Sequence, residues 1–86
     1  MQRRASERRA ALSLEIATAW KPDSPVAWYD LACARARAGE TRRALDALRT
    51  ALDRGFADAA LLASDPDLAS VRKLPEFEEL AKRVRG

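Results

Sequence analysis

Two stretches of this chain match each other at a fixed 34-residue offset, and no other feature constrains the fold as much. Arg8-Arg9-Ala10 falls on Arg42-Arg43-Ala44, Leu14 on Leu48, and Ala17 on Ala51. The second stretch belongs to a longer unit, Pro25 to Asp58. Its apolar positions are Trp28, Leu31 and Ala32 before a break at Gly39-Glu40, then Ala44, Leu48, Ala51 and Leu52 after it. Each half has helical spacing, so the unit reads as two helices joined by a turn. Such a pair cannot bury both of its faces alone, and the flanking segments are expected to cover it.

Composition agrees with an all-α fold. The chain has 86 residues, enough for one small core. Alanine is its commonest residue and the best helix former, and only three Gly and four Pro interrupt the pattern. Sixteen basic and thirteen acidic residues leave a net charge of +3. The excess is +2 over residues 1–24, +1 over 25–58 and zero over 59–86, without the concentrated basic stripe of a nucleic-acid binder. The lone Cys33 cannot form an internal disulfide and fits a reducing compartment. No stretch approaches the roughly 20 apolar residues of a membrane span. The Arg-rich start does not lead into the apolar core of a secretory signal, and the self-match gives those residues a structural role.

Paired helices at a 34-residue period are the signature of tetratricopeptide repeats. Residues 25–58 resemble one such repeat, with Trp28-x-x-Leu31-Ala32 in the first helix, Gly39 in the turn and Ala44-x-x-x-Leu48-x-x-Ala51 in the second. Residues 4–22 resemble the second helix and closing Pro of a preceding repeat. Two positions depart from the family: Arg35 stands where an aromatic is usual, and Phe56 where Pro is usual. The chain is expected to leave the regular repeat after Arg54.

Residues 59–86 are similar to the segment that closes tetratricopeptide arrays in many bacterial proteins. An Asp65-Pro66-Asp67-Leu68 turn precedes a helix started by Pro75. Asp58 and Asp65 suit helix N-caps, and Pro66 and Pro75 suit the first helical position. Phe77, Leu80, Ala81 and Val84 recur at helical spacing as one apolar stripe. The expected architecture is a single domain over residues 1–86, a short α-solenoid of antiparallel helix hairpins with a C-terminal capping helix.

Nothing in the sequence assembles an active site. With no His and one Cys, the commonest general base and a structural zinc set are both missing, and no Gly-rich loop could cradle phosphate. Asp65 and Asp67 flank a Pro at a helix start, so capping accounts for them better than acid–base chemistry. The sequence therefore predicts no catalysis, no cofactor and no metal. Cys33, among small residues, reads as a buried space-filler.

Two surfaces remain as candidates. The resemblance implies that the outward positions of the repeat's first helix line a partner-binding groove; these are Val26, Tyr29, Cys33, Ala36 and Arg37. Tyr29 and Cys33 stand where some members carry a Lys and Asn pair that clamps a peptide carboxylate, so that clamp is missing. Either a partner occupies this face or the closing segment packs on it. The second surface is the stripe Leu12, Ile16, Ala19 and Trp20. Its counterparts in the self-match are Asp46, Thr50, Asp53 and Arg54, all polar. An apolar stripe on both sides of one helix calls for burial on both sides. Either further repeats lie upstream or a second copy of the chain packs there as a homodimer. The expected function is a cytoplasmic protein–protein interaction or assembly module that binds a protein or peptide. The alternatives are a basic helical nucleic-acid-binding module, built on the pairs Arg3-Arg4, Arg8-Arg9 and Arg42-Arg43, and the regulatory tail of a larger bacterial protein.

Overall fold

The computed structural model describes residues 18–85, with side chains to residue 84. Residues 18–20 are helical, and a turn follows in which the Ser24 N–H reaches the Lys21 carbonyl (3.1 Å). Ser24 then starts the first full helix, because its hydroxyl accepts the Ala27 amide (3.2 Å). Pro25 sits at the first helical position, where a backbone N–H has no intrahelical partner to lose.

Helix α1 runs Pro25–Arg37 and helix α2 runs Thr41–Asp53. Both end in the same way. Gly39 takes a φ of 82°, its N–H bonds the Ala36 carbonyl (3.1 Å), and the Glu40 N–H bonds the Arg35 carbonyl (2.9 Å). Gly55 takes a φ of 110°, its N–H bonds the Leu52 carbonyl (3.0 Å), and the Phe56 N–H bonds the Ala51 carbonyl (2.9 Å). These are Schellman turns, in which glycine supplies the positive φ and two orphan carbonyls are satisfied. Phe56 fills the place where such turns carry an apolar residue. Its ring stacks on Tyr29 with centroids 4.3 Å apart and planes at 10°. The departure from Pro at this position thus has a packing role.

The closing segment consists of α3 (Ala59–Ser64), a 3₁₀ turn (Pro66–Leu68), α4 (Ala69–Arg72) and α5 (Pro75–Arg85). The Asp58 carboxylate accepts the Leu61 amide (3.0 Å) and that of Asp65 accepts the Asp67 amide (2.9 Å), so both act as the caps the sequence indicates. The apolar pattern of the repeat breaks at Asp65, yet the helix starts keep its period. Helix α3 begins at Ala59, one full period after Pro25 of α1, and α5 begins at Pro75, the same period after Thr41 of α2. The capping side chains Ser24 and Asp58 are spaced by that period too.

The layering follows from the side chains. Helix α2 is amphipathic, with Ala44, Leu45, Ala47, Leu48, Ala51 and Leu52 buried and Arg42, Arg43, Asp46 and Arg49 in solvent. Helix α1 is buried on nearly all sides because it lies between α2 and the 3₁₀ turn with α4. Small residues (Ala32, Ala34, Ala36, Ala44, Ala47, Ala51) let these elements approach closely. Leu62, Leu68, Val71, Phe77 and Leu80 complete the core from the closing segment, with Ala81 and Val84 packed against its edge. Among the described residues there is no strand, so the protein is all-α.

Arg35 spans the hairpin and donates to the Arg43 carbonyl (3.5 Å). The Pro22 carbonyl accepts both the Trp28 indole N–H (2.9 Å) and the Arg54 Nε–H (2.8 Å). The turn that follows residues 18–20 is thereby tied to both helices of the central unit.

Candidate interaction surface

Of the five residues assigned to a partner groove, three are buried. Tyr29, Cys33 and Ala36 face the closing segment, while Val26 and Arg37 are exposed. The sequence left open whether a partner or the chain's own tail covers this face; in the structure the tail lies on it. The contact is a polar clasp. The Tyr29 hydroxyl donates to the Asp65 carboxylate at 2.6 Å, and the Cys33 thiol donates to the same oxygen at 3.8 Å. The Arg37 guanidinium pairs with Asp67 at 2.9 Å, and the Ser70 hydroxyl donates to the Ala36 carbonyl at 3.3 Å. From the other side Arg72 donates to the carbonyls of Leu62 and Asp65, fastening the end of α3.

The electrostatics follow from this packing. Burial alone would raise the Asp65 carboxyl, but hydrogen bonds from Tyr29, the Asp67 amide and Cys33, with the Arg72 charge, hold it below the ordinary carboxylate value. Burial and the bond to Asp65 push the Tyr29 hydroxyl far up. Burial also pushes the Cys33 thiol up to about 12, as do the charges of Asp65, Asp67 and Asp30, against the opposing effect of the bond with Tyr29. Cys33 is thus a neutral thiol at physiological pH and a poor nucleophile. Its sulfur lies within 4.8 Å of carboxylate oxygens of Asp65 and Asp67, a spacing that could surround a cation. Both carboxylates are already engaged, by Tyr29 and Arg37, and the thiol is held protonated, so the donor set fits a clasp better than a metal site.

The second predicted surface behaves differently. Leu12 and Ile16 lie outside the described residues. Ala19 is exposed, and Trp20 is 81% exposed. Their counterparts one period on are fastened within the chain, Asp53 to Arg83 at 2.7 Å and Arg54 to the Pro22 carbonyl. Sequence reasoning missed a third apolar surface, on α3. Only Leu62 of this helix is fully buried, while Ala60, Leu61 and Ala63 are exposed. Between α3 and α5 lies a hollow of about 170 Å³ lined by Ala59, Leu62, Ala63, Arg72, Phe77, Glu78 and Ala81. The available signal was the run Ala59-Ala60-Leu61-Leu62-Ala63, apolar on every side of a helix placed at the edge of the fold. No helix among the described residues is long and apolar enough to cross a membrane.

No family model matches the chain, and no solved structure matches it. The chain is similar to a chloroplastic protein of Arabidopsis thaliana, with 36% identity over 61 residues, or 71% of this chain. Those residues correspond to 18% of the Arabidopsis protein, so the chain spans about a fifth of that relative's length.

Proposed function

We propose that the chain is a non-catalytic protein–protein interaction and assembly module, built as the end of a tetratricopeptide-like α-solenoid and self-associating through its N-terminal helix. The persistence of the repeat period in helix starts and caps supports the solenoid reading. The observation that carries the assembly reading is Trp20. It is the most exposed large apolar side chain among the described residues, and it stands on the copy of the helix whose counterpart carries Arg54. Exposed aromatics of this size are characteristic anchors of protein interfaces. A non-catalytic role is supported by the neutral, buried Cys33 and by the absence of His from the sequence. A cytoplasmic setting is part of the proposal and rests on the resemblance to bacterial tetratricopeptide-repeat proteins; the single thiol is compatible with a reducing compartment.

Sedimentation velocity over a concentration series tests the proposal. The wild-type chain is expected to gain mass with concentration, and Ile16→Glu to remain monomeric. Identical behaviour of the two removes Ile16 and its stripe as the interface. A second reading is favoured by the length relation to the Arabidopsis protein: the unit is one segment of a longer protein, and the N-terminal face takes a preceding repeat of the same chain. Under that reading, extending the chain with its natural upstream sequence abolishes self-association.

A further inference from the structure

We draw no further inference here: the strongest candidate, the apolar hollow between α3 and α5 walled by Leu62, Phe77 and three alanines, has Arg72 and Glu78 as its only charged lining, and nothing in the structure shows what covers it.

Discussion

The same helical pattern occurs twice in this chain, and its outer side is treated differently each time. In the later copy, positions 53 and 54 are Asp and Arg, and the chain uses them internally, Asp53 with Arg83 and Arg54 with the Pro22 carbonyl. One period earlier the same positions are Ala19 and Trp20, and both are exposed. The predicted groove on α1 makes the contrast sharper. Its Tyr29, Cys33 and Ala36 are covered by the chain's own closing segment, whose Leu68 and Val71 are wholly buried. Apolar surface on α1 therefore contributes to stability, whereas apolar surface at Ala19 and Trp20 is left exposed.

Breaking the covered side should have the largest effect. Leu68→Ala removes a fully buried side chain and is expected to cost about 2–5 kcal/mol in urea denaturation. A loss under about 1 kcal/mol would mean that the closing segment is not a fixed part of the core. Tyr29→Phe keeps the stacking on Phe56 but removes the bond to Asp65, with an expected cost of about 1.5–3 kcal/mol.

The same variant carries a pH signature. The Asp65 carboxyl is depressed in the folded state, so the unfolded state binds its proton more readily. Its contribution is present above the ordinary carboxylate value and is lost as pH falls through that value to the lower folded one. Tyr29→Phe should therefore flatten the acid limb of the stability profile, and an unchanged limb would show that the Tyr29–Asp65 bond does not form.

Smaller effects separate conformation from packing. A Cβ at Gly55 would meet nothing within 4 Å, so Gly55→Ala reports only the cost of a φ of 110°, about 1–2 kcal/mol. A neutral result would show that the Schellman turn after α2 has rearranged. Arg37→Ala breaks a half-exposed pair with Asp67 and should cost at most about 1 kcal/mol, less at high salt.

Much of this was legible from sequence because it is local. The caps at Asp58 and Asp65, the prolines that open the 3₁₀ turn and α5, and the stripe Phe77–Leu80–Ala81–Val84 depend on neighbours within one or two turns. What covers a face is not local. Helical spacing places Tyr29 and Cys33 on one side of α1, but it contains nothing that brings Asp65 to them from 36 and 32 residues away. The polar ends of Tyr29 and Arg37 read equally well as ligand contacts or as partners for a tail. Phe56 was visible as a departure from the repeat, yet its stacking on Tyr29 depends on the Gly55 turn aiming it there. The repeat period of the closing segment was hidden because it survives in helix starts and not in the apolar pattern.

Thiol reactivity tests most directly whether α1 is closed by the chain's own tail. Cys33 is the only cysteine, is buried under Asp65 and has its thiol pushed up to about 12. At mildly alkaline pH in native buffer, a disulfide reagent such as DTNB is expected to react with it orders of magnitude more slowly than with the urea-unfolded chain. Equal rates in the two states would contradict the account, because they would leave the face of α1 open and the closing segment elsewhere.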